Sequence, residues 1–259
     1  MRALLEAVAR GELSVEEAER KLRLAALEIV GDYARLDVGR ELRRGVPEVV
    51  LGDSKGPEEL VEIARRMLES SGRAVISRIS EEMAELVIRE VKPDRYRHER
   101  RARMLVLYSS SFRLERTGGR VAVLAAGTAD VPVAEEARVM AEEMGCEVKT
   151  FYDVGIAALH RALAAVREAL EWGADAIVVA AGREAALASL VASLVDVPVI
   201  GLPVSVGYGF AGGGVSALAA MLQSCPLGLA VVNIDAGVAA GAFAALVANR
   251  AAAGRSRGL

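Results

Sequence analysis

Hydrophobic and polar positions along this chain fall into blocks whose period changes twice. The first 30 residues read as two polar helices, the second opened by Ser14 with Glu17 three positions on, which is a capping box. The run Pro47-Glu48-Val49-Val50-Leu51-Gly52 follows, then a helix over about 57–70, a strand over 73–79, a helix from Ser80 and a strand over 103–108. Strands alternating with helices predict a small α/β unit. From Arg120 the rhythm is regular: VAVLAA, CEVKTFYDVG, DAIVVAAG, VPVIGLPVSV and LAVVNIDAG each precede a helix, at about 132–144, 156–172, 183–194, 213–224 and from 238 on. Each strand is a short β-branched run without alternation, as in strands covered on both faces. The fold class is therefore α/β, a small N-terminal α/β domain followed by a doubly wound parallel sheet of the Rossmann or flavodoxin type. The polar stretch 114–119, ended by two glycines, predicts domains at 1–116 and 117–259, with the last nine residues as a frayed tail.

Composition narrows the function classes. The 259 residues are 53% hydrophobic and carry a formal charge of −3, which excludes disorder and leaves neither half with the basic excess of a nucleic-acid binder. Two cysteines and two histidines cannot make a disulfide framework or a four-thiolate zinc site. A charge precedes any apolar run at the N-terminus, so a cytoplasmic protein is expected. The 38 residues 197–234 hold no formal charge, but Pro198, Pro203, Pro226 and seven glycines leave only 215–225 unbroken, too short for a bilayer; no membrane partner is expected.

In an open parallel sheet, ligands lie beyond the carboxyl ends of the strands. Those ends read Gly127-Thr128-Ala129-Asp130, Asp153-Val154-Gly155, Gly182-Arg183-Glu184, Ser205-Val206-Gly207-Tyr208-Gly209 and Asn233-Ile234-Asp235. Glycine and aspartate there serve turns and helix caps as readily as ligands, and Asp130 fits a cap for the helix beginning near Pro132. Gly207 to Gly212 matches G-x-G-x-x-G, which allows a dinucleotide reading or an anion site at a helix N-terminus. Glu184 is the one acid in an apolar helix entry, where a carboxylate would lose solvent and become a proton acceptor near neutral pH, or simply face the helix dipole. Cys225 stands between Ser224 and Pro226 and reads equally as a core thiol, a description that Cys146 fits better. Arg40 and Arg43, three apart, would share a helix face and could hold anions, and His160-Arg161 reads as a surface pair or a site.

These segments together resemble the LarB family of nickel-pincer cofactor biosynthesis, whose C-terminal part is similar to the carboxylase PurE. The resemblance rests on LDVGRELR at 36–43 with GVPEVV at 45–50, GTADVPVAEEA at 127–137, Asp153-Val154-Gly155 with His160-Arg161, AGREAAL at 181–187, LPVSVGYG at 202–209, LQSCPLG at 222–228 and VVNID at 231–235. It departs at Gly52-Asp53-Ser54-Lys55-Gly56, where the family usually has G-x-G-K-T, leaving Lys55 a weak ligand candidate, and at Gly39, where a histidine is common.

The resemblance implies a carboxylase and hydrolase that carboxylates C5 of the pyridinium of nicotinic acid adenine dinucleotide with CO2 or bicarbonate. It also cleaves the phosphoanhydride, giving pyridinium-3,5-biscarboxylic acid mononucleotide and AMP. Cys225 matches the family's nucleophile and Glu184 its carboxylate base. Arg40, Arg43, Gly127, Thr128, Asp130, His160, Gly182, Ser205, Gly207, Gly209 and Asp235 are the expected substrate contacts. Mg²⁺ is the expected cofactor, without identifiable ligands. The apolar C-terminal helix and the likeness to PurE imply a dimer-based homo-oligomer, an octamer if it assembles as PurE does. The competing readings are a PurE-type aminoimidazole ribotide mutase, a nicotinamide-dependent dehydrogenase and a non-catalytic nucleotide-binding scaffold.

Overall fold

The computed structural model describes residues 2–18, 44–207, 209 and 212–256. Arg40, Arg43, Asp37 and Gly39 lie outside the described residues, as do Tyr208, Phe210 and Ala211 of the glycine loop. Element numbers below count the described elements. At the N-terminus, α1 (Arg2–Ala9) precedes the predicted capping box: Glu17 N–H donates to Ser14 Oγ at 3.1 Å and Ser14 N–H to Glu17 Oε2 at 3.4 Å.

The first sheet contains β1 (Val49–Leu51), β2 (Arg73–Ser77), β3 (Arg95–Glu99) and β4 (Met104–Tyr108) in the order β1-β2-β4-β3. β1 and β2 are parallel and the other pairs antiparallel. Pro57 opens α2 (Pro57–Ser71) and the left-handed Gly72 closes it, while Ser80 Oγ accepts from Met83 N–H to cap α3 (Glu81–Val91). Leu60, Ile63 and Val87 on these helices pack with Ile76 and Leu105 of the sheet. Sequence periodicity missed β3, whose Arg-Tyr-Arg-His-Glu run has no apolar alternation. As an edge strand it pairs with β4 alone, so backbone bonding rather than side-chain burial defines it.

The second domain follows the predicted rhythm: β5 (Arg120–Ala125), α4 (Val131–Glu143), β6 (Glu147–Phe151), α5 (Leu159–Glu171), β7 (Ala176–Ala181), α6 (Ala186–Ala192), β8 (Val199–Pro203), α7 (Val215–Leu222), β9 (Leu229–Val231) and α8 (Gly237–Ser256). The sheet order is β6-β5-β7-β8-β9 and all pairs are parallel. Two apolar cores flank it. One gathers Val121, Val123 and Val178 with Ala137 and Met140 of α4 and Ala244 and Ala248 of α8. The other gathers Leu124, Ile177 and Val179 with Val166 of α5, Leu187 of α6 and Met221 of α7. This double covering is what the unalternating strands require.

Residues 251–256 of the expected frayed tail are instead the end of α8, while 257–259 lie outside the described residues; alanine favours the helix and Arg255 pairs with Asp175. A Cβ on Gly241 would lie 2.3 Å from the carbonyl oxygen of Ala137, so only glycine lets α8 approach α4 this closely. By length and composition Gly237–Arg255 could cross a membrane, with a mean hydropathy of 1.2, but Ala240, Ala244, Ala245, Ala248 and Ala252 are buried against the domain. One face of it is packed against the domain.

The two sheets meet across α4. Val139 joins Val75, Ala102, Met104 and Val106 of the first domain in an apolar contact. Around it, Arg73 and Glu143 form a buried ion pair at 3.1 Å, Tyr108 Oη donates to Glu143 at 2.6 Å, Arg138 pairs with Glu99 at 2.9 Å and Arg97 with Glu142 at 2.6 Å. A charge-rich helix face that would ordinarily meet solvent is thus covered. Removing one partner of the Arg73–Glu143 pair would leave a buried charge, at a cost of about 3–5 kcal/mol.

Candidate active site

The sheet order reverses between β5 and β7, and a cavity of about 550 Å³ opens at that switch point. The turns after four strands line it: 126–130 after β5, Asp153 with 155–157 after β6, 181–187 from the end of β7, and Val206 and Gly207 after β8. Gly127, Thr128, Asp130, Gly182, Glu184 and Gly207 therefore come together as the sequence predicts. Its charged lining comprises three carboxylates, Asp130, Asp153 and Glu184, and one guanidinium, Arg183.

Asp130 is buried, yet it neither caps α4 nor faces a ligand freely. Its carboxylate accepts from Gly127 N–H at 2.8 Å and from Gly182 N–H at 3.2 Å, tying the β5 and β7 turns together. Burial raises its pKa and these two N–H bonds partly offset that. Two backbone donors that would suit a phosphate at the switch point are thereby occupied by a carboxylate. Gly182 is required for the same reason of proximity, since a Cβ there would sit 2.4 Å from the Val206 carbonyl oxygen. Asp153, Arg183 and Ala185 hold φ of +56°, +51° and +49°, so strained turns concentrate at this cavity.

Several expected residues are placed otherwise. Glu184 is exposed at the cavity mouth and precedes α6, which starts only at Ala186 because Arg183 and Ala185 are left-handed; the predicted helix start at 183 and loss of solvent do not occur in the single chain. His160, in the first turn of α5, is exposed and does not line the cavity, although its neighbour Arg161 pairs with the cavity residue Asp153. Gly209 is exposed with φ +99°, and two further left-handed glycines, Gly213 and Gly214, separate the G-x-G-x-x-G run from α7. The glycine run does not open directly into a helix as a dinucleotide fingerprint does. Lys55 lines none of the three cavities described here.

Cys225 is exposed on the connection from α7 to β9. Ser224 beside it hydrogen-bonds Ser189 of α6 at 2.8 Å, and Gly228 accepts from Val199, the first residue of β8. Glu184 lines the strand-end cavity and Cys225 does not, although Ser224 reaches the helix that follows Glu184. Cys146 is buried, its Sγ 3.1 Å from Asn249 Oδ1, and burial pushes its thiol up to about 11. It is a core residue, as expected.

Ser205 and Asp235 belong to a second region, the cleft between the domains. Asp235, at φ +54°, accepts from Ser205 N–H at 2.8 Å through its carboxylate and from Arg78 at 3.3 Å through its carbonyl. A cavity of about 310 Å³ here is lined by Asp53, Arg78, Arg101, Arg103, Glu136, Ser205 and Asp235. An apolar one of about 370 Å³ adjoins it and shares Arg78, Glu136 and Asp235. Glu136 on α4 went unnoticed in the sequence reading. Burial pushes its carboxyl up to about 7 and Asp235 acts the same way, while Arg78, a hydrogen bond from Val238 N–H and Arg103 pull it down. No local signal marks it, because the groups around it come from both domains.

Comparison with known proteins gives the same two-part division. Residues 27–109 match the LarB/PurE-like N-terminal domain and residues 120–258 the AIR carboxylase domain. An uncharacterized protein of Methanocaldococcus jannaschii, MJ0165, is 40% identical over 251 residues, 96% of each chain. The N5-carboxyaminoimidazole ribonucleotide mutase of Thermotoga maritima is 34% identical over 89 residues, 33% of this chain and 50% of that protein.

Proposed function

The chain belongs to the LarB family, with a PurE-like C-terminal domain and the architecture of a carboxylase-type enzyme, and from that premise we propose that it carboxylates and hydrolyses nicotinic acid adenine dinucleotide. The observation that carries this reading is the charge of the strand-end cavity. Three carboxylates, one of them Asp153 paired with Arg161, against the single lining guanidinium of Arg183 suit a cationic pyridinium ring better than the phosphates of an ordinary nucleotide site.

A pyridinium carbon is electron-poor and does not attack CO2. Addition of the Cys225 thiolate forms the sulfur–C4 bond, makes the ring nitrogen neutral and leaves C5 as an enamine carbon. C5 then bonds to CO2. Glu184 removes the proton from C5, the nitrogen lone pair expels the thiolate from C4, and the aromatic ring returns with a carboxylate in place of hydrogen. The exposure of Glu184 at the cavity mouth leaves it reachable for that transfer. Water cleaves the phosphoanhydride to release AMP.

Cys225 is exposed and does not line the strand-end cavity that Glu184 lines, so we assign the thiolate in each site to a second copy of the chain, in a cytoplasmic homo-oligomer. Phe243 and Leu246, partly exposed on α8, are apolar surface available to such an assembly. Among the described residues, no three His, Cys, Asp or Glu side chains converge to hold a metal. Mg²⁺, if used, would therefore enter on the substrate phosphates, and no step above depends on it.

Product mass spectrometry with the dinucleotide and isotope-labelled bicarbonate tests the reading. A labelled biscarboxylic mononucleotide with equimolar AMP is expected. Turnover of a carboxyaminoimidazole ribotide without a need for Cys225 would instead establish the second reading, a PurE-type mutase, which the likeness to the Thermotoga mutase supports.

A further inference from the structure

We propose that the cleft between the two domains is a nucleoside monophosphate subsite, with the phosphate on Arg101, Arg103 and Arg78 and the base in the adjoining apolar cavity against Ser77. This rests on the dinucleotide reading above and places the adenylate half of that substrate. Arg101 and Arg103 are exposed and make no hydrogen bond or ion pair through their side chains with the described residues, acting on Glu135 and Glu136 only through the field, while Arg78 donates to the Asp235 carbonyl at 3.3 Å and faces Asp53 at 3.9 Å. Arg78 and Arg103 are held at φ +55° and +50°, and the Arg103 carbonyl is fixed by Ile79 N–H. Two guanidiniums with their donors unused, and a third with one engaged, match a phosphate.

The neighbouring cavity is lined by Val46, Pro47, Val49, Met140 and Val238, a surface for a flat apolar ring. Ser77 lies on the same wall. Its Oγ is fully buried and is the one buried side-chain polar atom among the described residues without a hydrogen-bond partner. Such an orphan costs free energy unless a ligand satisfies it. Ala129 and Val206 line both the arginine cavity and the strand-end cavity, so one ligand can run from the strand-end pocket to the three arginines, which share their cavity with Asp53, Glu136 and Asp235. The phosphate has no comparable place at the switch point, where Asp130 holds the Gly127 and Gly182 N–H groups.

Calorimetric titration of the full chain with AMP and with ribose 5-phosphate tests the assignment. AMP should bind, and Arg101→Gln/Arg103→Gln should weaken both ligands about 10-fold or more, on the scale of charged hydrogen bonds. Arg101→Lys/Arg103→Lys should recover part of the loss. Ser77→Ala should weaken AMP several-fold and leave ribose 5-phosphate unchanged, with melting temperatures confirming that each variant is folded. No AMP binding, or AMP binding indifferent to the arginine change, overturns the subsite. Equal loss of both ligands in Ser77→Ala overturns the placing of the base. If AMP binds as described but no carboxylated product forms, the subsite stands and the reaction reading fails. If product forms with an unchanged KM for the dinucleotide in the arginine variant, the reading stands and the subsite fails.

Discussion

The strand-end cavity and the interdomain cleft share a wall at Ala129 and Val206, yet they are built by different means. The first consists of turns that directly follow strands, with glycines admitting close backbone approach and carboxylates supplying charge. The second consists of long side chains brought together across a domain junction, as in the contact between Arg78 and Asp235, 157 residues apart. Both hold strain. Among the described residues seven non-glycine residues have positive φ, and six of them line these two regions: Asp153, Arg183 and Ala185 in one, Arg78, Arg103 and Asp235 in the other. Backbone strain thus marks both cavities where composition marks only one.

The largest expected effect breaks the comparison at its chemical end. Cys225→Ala and Glu184→Gln should each lower carboxylation by about 10³-fold or more, the scale of losing a covalent or proton-transfer group. Cys146→Ala should leave it intact. Intact-protein mass spectrometry should show a dinucleotide adduct that disappears in Cys225→Ala. If the thiolate comes from a second copy, the two inactive variants should regain part of the activity when unfolded and reassembled together. Failure to complement, with each variant correctly assembled, would place both groups in one chain.

Next in size is the backbone of the strand-end cavity. Gly182→Ala forces a Cβ against the Val206 carbonyl and should cost about 1–3 kcal/mol in stability, as overpacking does, read by urea denaturation. Asp130→Ala leaves two N–H groups without their acceptor and should cost about 1–3 kcal/mol for each that stays dry, less the relief of a desolvated carboxylate. An unchanged denaturation midpoint in Asp130→Ala would mean that water replaces the carboxylate there.

The cleft should differ in its response to pH. Glu136 has an ordinary value of 4.5 and is pushed up to about 7 in the folded chain, facing Arg78, Asp235, Arg103 and the Val238 N–H. Between those values the folded chain holds a proton that the unfolded chain releases, so this group makes stability fall as pH rises from about 4.5 to 7. Glu136→Gln removes that dependence. Its stability relative to the parent should grow by up to about 3 kcal/mol between pH 4.5 and pH 8. A difference that stays flat with pH would show that Glu136 is ionised throughout.

What the sequence determined by itself is the local and periodic part of the molecule. Five β-branched runs without alternation, each followed by a helix, specify a doubly covered parallel sheet, and the residues just after β5, β6, β7 and β8 supply the strand-end cavity because chain connectivity places them there. Even there the geometry differs from the reading: the α6 start moved from 183 to Ala186, and Asp130 turned to backbone N–H groups, since turn conformation depends on the opposing loop. Only the tertiary structure decided that the charged face of α4 is covered, that Asp235 and Ser205 belong to the cleft, and that Cys225 is exposed outside the cavity that Glu184 lines. The physical reason is range. Hydrophobic period and turn chemistry act over a few residues and are written in consecutive letters, whereas a desolvated Glu136 or an unpartnered Ser77 hydroxyl results from burial by groups distant in sequence.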